Sequence, residues 1–438
     1  MDPYQTNFAA LGALCALLLA CQPTRMEKSK PESGSPKRAK PKTFKNPQAD
    51  YYYVYALVMG ADWLQGPYLY SLYKDEHGVS SSVVFALFTT GFLSGGLSAY
   101  FVGSLADKYG RKKTCLAFCL LNSASCLLTM VPMVPLLFAG RVLGGISTSI
   151  LFSVFDSWLV SNFRERRLVE KGCDLSQTYG TMSTINSVTA IASGVMSDVV
   201  VWMTGTKKAP FLVSAILLWL ATPTIKSRWA ENYGSAATKG KKNNETTSMW
   251  SIIKRPVIMA LALAMTMFEG SMYLFVFFWV PALKSVQQSA GELPYGFIFA
   301  SFMASVMAAS LAFNLVMQRR LMRYSRLLVL LLVVANFVFV KLSSPKTEQS
   351  TFWFFCLFEA CVGLYFPCIG YLKGRMIEDG IRAKVYSLMR VPLNIFVVVS
   401  LIFARESGDF GRVFSVCSMF LTAAFGAVWA VTLNEDIP

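Results

Sequence analysis

A series of apolar runs, each close to 20 residues long and separated by short polar segments, fills most of the chain. A helix of about 20 residues is about 30 Å long, which is the thickness of the hydrocarbon core of a bilayer. Only 15% of the 438 residues are charged, whereas ordinary soluble domains carry about 25%. The pattern predicts an all-α polytopic membrane protein, with the lipid bilayer as its surroundings.

The net charge of +16 is the one feature that suggests a nucleic-acid partner. The Lys and Arg residues lie in the polar segments between the apolar runs, however, and alternate segments carry most of them. The segments on one face of the membrane together carry roughly four times as many Lys and Arg residues as those on the other face. This excess predicts that the first face is cytosolic. The distribution indicates membrane topology and predicts no nucleic-acid partner.

Motifs of enzymes and metalloproteins are missing from the sequence. The chain has a single His, no C-x-x-C pair, no G-x-x-x-x-G-K-[ST] loop and no G-x-G-x-x-G motif. Histidine-based catalysis, zinc binding, ATP hydrolysis and dinucleotide chemistry depend on such residues. We therefore predict a protein that is not an enzyme and has neither a metal site nor a cofactor.

The apolar runs and polar segments divide the chain into five regions. They are an N-terminal hydrophobic span (1–21), a basic disordered linker (22–49), an N-terminal six-helix half (50–226), a cytosolic central linker (227–254) and a C-terminal six-helix half (255–438). The apolar part of the first region, Phe8 to Cys21, has fourteen residues. It suits a secretory signal, an interfacial helix or a short extra span. Positive charge follows it and none precedes it, which favours an outside amino terminus and a retained span.

The segment from Gly103 to Lys113 is a short charged connection between two apolar runs, with the sequence G-S-L-A-D-K-Y-G-R-K-K. So short a loop places its two helices side by side and antiparallel. Gly103 and Gly110 permit a tight turn and close backbone approach. Asp107 is the only acid in the segment, so we predict that a partner holds it.

This segment resembles the loop between the second and third helices of major facilitator superfamily transporters. The resemblance implies two six-helix halves that work by alternating access. In that superfamily an acid of the fourth helix often pairs with the arginine of this loop. The resemblance therefore implies a cytosolic gate in which Arg111 pairs with Asp156, together with Gly103, Asp107 and Gly110.

Ionisable residues inside apolar spans need a partner or a water-filled cavity. The residues to explain are Asp62, Arg141, Asp156, Glu269, Glu359 and Arg390. Asp198 does not belong to this set, because its predicted position near an outer helix end lets its carboxylate reach water.

Three of these acids are candidates for proton coupling. Asp62 and Glu269 lie in the first helix of each half, about twelve residues from its predicted cytosolic start. This distance, about 18 Å, places both near the middle of the bilayer, where transporters built from repeats bind substrate. A desolvated carboxyl group takes up a proton readily, and Glu359 is a similar candidate. The alternative is a structural acid hydrogen-bonded to Gln65 or Tyr273.

Two arginines are candidate anion ligands. Arg141, in G-R-V-L-G-G, resembles the fourth-helix arginine motif of the superfamily, and Arg390 lies in M-R-V-P-L-N. A guanidinium offers five donors that suit an oxyanion or a carboxylate, so each Arg is either a substrate ligand or half of a membrane ion pair. Gln65 and Tyr68, which follow Asp62, complete the candidate binding set.

Four stretches, together with the apolar amino-terminal segment, resemble the eukaryotic molybdate-anion transporter family. They are A-D-W-L-Q-G-P-Y-L-Y (61–70), L-F-S-V-F-D-S-W (151–158), G-L-Y-F-P (363–367) and R-V-P-L (390–393). The resemblance implies high-affinity uptake of molybdate across the plasma membrane by a multi-pass protein. Two arginines at a midplane cavity would offset the desolvation of this tetrahedral dianion, and nearby carboxyl groups suggest symport with protons. The alternatives are a carrier for sulfate, sugar or another small solute, and a membrane sensor without transport.

Overall fold

The computed structural model describes residues 3–22, 48–167, 175–234, 255–289, 291–319, 321–344, 347–376, 389, 392–393, 395–400 and 410–434. No β-strand occurs in these ranges, which consist of helices and short connections and confirm the predicted all-α class. Ten helices within them are long and apolar enough to cross a membrane. The predicted carboxy-terminal half (255–438) is described only in part, and Arg390 is not among its described residues.

The described residues of the amino-terminal part form eight α-helices and one π-helical segment. They are α1 (Pro3–Ala20), α2 (Ala49–Gln65), α3 (Leu69–Ser71), the π-helix Leu72–Glu76, α4 (Ser81–Tyr109), α5 (Arg111–Thr129), α6 (Val134–Glu165), α7 (Leu175–Thr204) and α8 (Ala209–Arg228). The carboxy-terminal part forms α9 (Pro256–Ser285), α10 (Tyr295–Gln318), α11 (Tyr324–Leu342), α12 (Glu348–Met376) and α13 (Phe410–Asn434). Most helices extend a few residues beyond the apolar runs, because polar residues at their ends continue the helix outside the predicted membrane.

The helix that follows the first linker is interrupted. α2 ends at Gln65, and the chain resumes as α3 and the π-helix after Gly66 and Pro67. Proline has no N–H to donate to the preceding turn, and the N–H of Gly66 bonds to the carbonyl O of Trp63 at 3.2 Å. The interruption frees backbone groups beside the predicted binding residues, which is a recurring device in transporters.

The helices pack mainly within their own half. In the amino-terminal half α4 and α5 pack on α6, and α2 packs on α7 and α8. In the carboxy-terminal half α10 packs on α12, and α13 packs on α9 and α11. The main helix pair between the halves is α7 with α10.

The extra helix α1 packs against α10 of the carboxy-terminal half. Near its start, the hydroxyl of Tyr4 donates to Oε1 of Glu348 at 2.6 Å. Just beyond its end, Nε2 of Gln22 donates to the carbonyl O of Leu311 at 2.9 Å. α1 therefore runs in the same direction as α10. The retention of this segment stays a prediction.

Candidate functional site

The predicted binding residues of α2 lie directly before its interruption. Asp62 is half-buried and makes no hydrogen bond or ion pair with the described residues, and Cys126 of α5 is close enough to interact with it electrostatically. Gln65 donates its amide N–H to the carbonyl O of Ala61 in its own helix, at 2.9 Å. The predicted alternative, in which Gln65 holds Asp62, is therefore not formed.

Tyr68 lies at the contact between the halves. Its hydroxyl donates to Oδ1 of Asp198 on α7. Its ring packs edge-on against the ring of Tyr295 on α10, with centroids 5.6 Å apart. The structure thus gives Tyr68 partners on both sides of the interface, which sequence reasoning had not foreseen.

Arg141 lies on α6 where that helix packs closely against α4. Its guanidinium covers Gly91, where a Cβ atom would overlap it, and lies 5.3 Å from the ring centroid of Phe88. The hydroxyl of Tyr73 is nearby, but Nε of Arg141 lacks a hydrogen-bond partner. No ion pair joins Arg141 to an acid in the described ranges, so the alternative of a membrane ion pair is not formed there.

The candidate acids of the carboxy-terminal half are buried. Glu269 on α9 accepts a hydrogen bond from the hydroxyl of Tyr365 on α12, at 3.1 Å. Glu359, also on α12, is 5% exposed and makes no hydrogen bond or ion pair with the described part of the chain. Arg390 lies outside the described residues.

Asp198 joins the two halves, and the expectation that it reaches water was wrong. It is 9% exposed, because the start of α10 packs directly on it. Its oxygens accept the backbone N–H groups of Gly296 at 2.9 Å and Phe297 at 2.6 Å. A carboxylate at this position satisfies unpaired N–H groups and suits the positive end of the helix dipole. A Cβ atom on Gly194 would lie 2.8 Å from the carbonyl O of Gly296, so close approach requires glycine.

On the side of the protein where Asp198 meets α10, ion pairs also join the two halves. By the predicted sidedness this is the outer face. Nζ of Lys284, at the end of α9, lies 2.7 Å from Oδ2 of Asp75. Nζ of Lys207, between α7 and α8, lies 2.9 Å from Oε1 of Glu292 and 3.6 Å from Oδ2 of Asp75. We call Asp75, Asp198, Lys207, Lys284 and Glu292, with the start of α10, the outer gate.

Within the outer gate, Asp75 is held as a carboxylate. Burial by itself would raise the pKa of this carboxyl group, but hydrogen bonds from Lys284 and Ser71 and the nearby Lys207 ammonium more than offset it. The pKa of Asp75 is therefore lowered from its usual value.

On the opposite, predicted cytosolic face, most of the segment 103–113 is helical. α4 continues to Tyr109, and Gly110 alone breaks the chain before α5. Gly110 has a φ of +111°, which favours glycine, as the sequence predicted. Gly103 lies inside α4 and no atom lies within 4 Å of a Cβ built on it. Its predicted role in close approach is therefore wrong, because the helix extends past it.

The predicted pair of Arg111 and Asp156 is not formed. Arg111 lies 2.8 Å from Oδ1 of Asp107, one turn earlier, and its Nη1 donates to the carbonyl O of Ser157 at 3.2 Å. Asp156 accepts a hydrogen bond from the hydroxyl of Tyr179 on α7, at 2.6 Å. Asp107 does have a partner, as predicted, but Arg111 reaches the backbone beside Asp156 while the Asp156 side chain is directed at α7.

The start of the predicted central linker, 229–234, docks under this turn. Glu231 accepts the backbone N–H groups of Lys112 at 2.8 Å and Lys113 at 3.2 Å, at the start of α5. The N–H of Gly234 bonds to the carbonyl O of Asp107 at 3.1 Å. These contacts attach the start of the linker to the amino-terminal half.

A family model described as sugar transporters with twelve transmembrane helices matches residues 4–358. The chain belongs to this family of the major facilitator superfamily. Molybdate-anion transporters are similar to it in sequence. That of Xenopus tropicalis is 30% identical over 406 residues, 90% of this chain and 88% of the relative. That of Takifugu rubripes is 29% identical over 465 residues, 97% of this chain and 95% of the relative.

The fold is similar to that of a solved nucleoside transporter, NupG. The crystal structure of NupG matches with a TM-score of 0.66 at 12% identity, covering 88% of this chain and 99% of that chain. The predicted major facilitator fold and family are thereby confirmed. The protein is a multi-pass membrane transporter and not an enzyme.

In this major facilitator fold the interrupted α2 is the first core helix, and its Trp63 was missed by sequence reasoning. The indole N–H of Trp63 donates to Oδ1 of Asn186 on α7 at 2.8 Å. Its ring lies 5.8 Å from that of Phe299 on α10. The signal available in the sequence was its position next to Asp62 in the A-D-W-L-Q-G-P-Y stretch.

Proposed function

We propose that the protein is a secondary transporter of molybdate or a similar tetrahedral oxyanion, working by alternating access at the plasma membrane. The observation that carries this proposal is the similarity to molybdate-anion transporters over 90% and 97% of the chain. Similarity of this extent covers both halves and the candidate binding residues, rather than one shared motif.

Arg141 is the proposed anion ligand in the amino-terminal half. A buried, unpaired N–H group such as Nε of Arg141 is costly unless a ligand completes its hydrogen bond. An oxyanion accepts several such bonds from the planar group and gains from its charge. Arg390 is the proposed second ligand, and Gln65 and Tyr68 are proposed to line the pathway.

Protons are the proposed coupling ions. Asp62 and Glu359 are carboxyl groups without partners in the described chain, and Glu269 has a neutral hydroxyl partner. Ionised carboxylates near the site would repel a dianion, so we propose that they bind protons together with the anion. Tyr365 can stay bonded to Glu269 in either protonation state, because a hydroxyl both donates and accepts.

The outer gate supports alternating access. Its contacts join α7, α10 and the outer loops of opposite halves, so they must break for the pathway to open outward. The role of Gly103, Asp107, Gly110, Arg111 and Asp156 as a cytosolic gate remains a proposal. It now involves Asp107–Arg111 and Asp156–Tyr179 as separate pairs.

The description of the matching family model favours a sugar as the second candidate substrate. A neutral sugar would use aromatic faces and hydroxyl or amide groups, such as those of Trp63, Tyr68 and Asn186. If the purified protein transported neither molybdate nor a sugar, the result would point to a membrane sensor instead.

The test is uptake of radiolabelled molybdate by the purified protein in proteoliposomes, with sulfate and glucose as competitors. We expect saturable molybdate uptake that glucose does not reduce, and a loss of at least about tenfold in Arg141→Ala. Arg164→Ala, an exposed arginine at the other end of α6, is the matched control. Uptake of glucose without molybdate would replace the proposal with the sugar alternative. Molybdate uptake that is insensitive to pH and to collapse of the proton gradient would remove the proton coupling.

A further inference from the structure

The extra helix α1 is joined to the outer gate by a continuous set of contacts. We propose that α1 positions the outer gate, with Tyr4 and Glu348 as the positioning residues. The inference rests on the proposed alternating access, because only then does the outer gate open and close in use.

α1 is seated on the carboxy-terminal half along its length. Tyr4 is 2% exposed, and its ring packs edge-on against Phe352 of α12 at 5.2 Å. Nδ2 of Asn7 donates to Oε1 of Gln349 at 2.9 Å. Sγ of Cys15 lies 3.2 Å from the carbonyl O of Ala304 on α10. These polar contacts hold α1 in one register against α10 and α12.

Glu348 connects α1 to the outer loop between α9 and α10. Its Oε1 accepts the hydroxyls of Tyr4 at 2.6 Å and Ser289 at 2.9 Å. Its Oε2 accepts the backbone N–H groups of Gln288 at 2.7 Å and Ser289 at 2.9 Å. The carboxylate is 4% exposed and is satisfied entirely by donors of α1 and this loop. Loss of one donor therefore weakens the attachment of both.

The same loop carries a residue of the outer gate. Nε2 of Gln287 donates to the carbonyl O of Gly291 at 2.7 Å, which holds the turn directly before Glu292. Glu292 then pairs with Lys207 of the opposite half at 2.9 Å. Lys207 is 7% exposed, whereas the side chain of its partner Glu292 is 72% exposed. Because so little of Glu292 is packed against other residues, its position depends on how the loop is held.

A second connection runs through Phe297 of α10. The ring of Phe8 on α1 packs edge-on against the ring of Phe297, with centroids 5.9 Å apart. The backbone N–H of Phe297 donates to Asp198 of the opposite half. α1 thus reaches two parts of the outer gate in the carboxy-terminal half, the start of α10 by direct contact and the loop before Glu292 through Glu348.

The experiment measures how often the outer gate opens. Ser197 lies on α7 facing Gly296 of α10 and is fully buried, so a cysteine there reports opening.

Among the described cysteines Cys21 is exposed and the rest are buried, and Cys21→Ser with Cys173→Ser provides the background. The full-length protein with Ser197→Cys is labelled from outside with a membrane-impermeant maleimide. The variants are Tyr4→Phe, Glu292→Gln and both together. Tyr52→Phe, which removes a 2.7 Å hydroxyl bond to Gln48 far from the outer face, is the matched control.

We expect Tyr4→Phe to raise the labelling rate about twofold, no more than Glu292→Gln does, because the Tyr4 hydroxyl reaches the outer gate through the loop that carries Glu292. Tyr52→Phe should leave it unchanged. The double variant should label no faster than the faster single variant, because both act on one set of contacts. An unchanged rate in Tyr4→Phe, or effects of the two variants that simply multiply, would overturn the proposal. Labelling needs no cargo, so a failure of molybdate uptake in the parent protein removes the proposed function and leaves this result standing.

Discussion

The outer and cytosolic faces use charged residues in opposite ways. On the outer face, Asp75, Asp198, Lys207, Lys284 and Glu292 make contacts that cross between the halves. On the cytosolic face, Asp107, Arg111, Asp156 and Glu231 have partners within the amino-terminal half. The outer contacts therefore hold the two halves together, while the cytosolic contacts stiffen one half. Among the described residues, the difference indicates that this structure is closed at the face predicted to be the outer one.

The largest expected effect comes from Gly296→Val at the closest approach of the halves. A side chain there would meet Ser197 Oγ at 2.7 Å and the carbonyl O of Gly194. Closure of the outer face would be blocked, so uptake should fall at least about tenfold and outside labelling of Ser197→Cys should rise. Gly370→Val is the control, because no atom lies within 4 Å of a Cβ there. Normal molybdate uptake by Gly296→Val would show that close contact of the halves at the outer face is not required for transport.

Asp198→Asn should have the next largest effect. An amide keeps the shape but loses the charge and replaces one carboxylate oxygen with an NH2 donor. The N–H groups of Gly296 and Phe297 bond to different oxygens of Asp198, so one of them would then face another donor. We expect labelling through the outer face to rise about tenfold. A rate equal to that of the parent would mean that glycine packing alone closes this face.

Glu292→Gln should have a smaller effect, about twofold in labelling rate, because the Glu292 side chain is 72% exposed and water screens its pair with Lys207. The difference from the parent should shrink at 1 M salt. A larger effect that persists in high salt would show that the pair acts through the packing of the buried Lys207 instead.

Glu231→Gln tests the cytosolic side of the comparison. Loss of charge at the start of α5 should weaken its cap on Lys112 and Lys113. We expect a slightly lower melting temperature of the purified protein and an unchanged labelling rate at the outer face. Faster labelling would mean that the two faces are coupled in this state.

The smallest expected effect is that of mild acid on the outer gate. The pKa of Asp75 is lowered because hydrogen bonds from Lys284 and Ser71 outweigh the effect of burial. A lowered pKa means that the stabilisation is present above the usual value, 3.8, and is lost only as pH falls through the lowered one. The other groups near Asp75 are Lys207, Tyr70 and Tyr295. Only the thiolate reacts with a maleimide, so the labelling rate of Ser197→Cys is divided by that of glutathione with the same reagent at each pH. This ratio should be flat from pH 8 to 5, and a rise of the ratio near pH 6 would assign gate control to another group.

Sequence reasoning correctly identified several individual residues and missed others. It predicted that Gly110 makes the tight turn and that Asp107 has a partner, because both follow from local chain geometry and charge. It also placed Asp62 in the first core helix, where the structure shows an interruption at Gly66 and Pro67, and the role of Asp62 stays a prediction. It missed Asp198, whose burial depends on the start of α10, 98 residues further along the chain.

The sequence by itself determined the class of the protein and the family. Apolar length and loop charge are set by the bilayer, and they can be read one segment at a time. The partner of each charge was decided only by tertiary structure. Asp156 met Tyr179 of α7 rather than Arg111, and Asp198 met the backbone of α10, because a carboxylate accepts whichever donors packing brings within about 3 Å. Several donors are compatible with any one acid in the sequence, and the packing of distant helices selects among them.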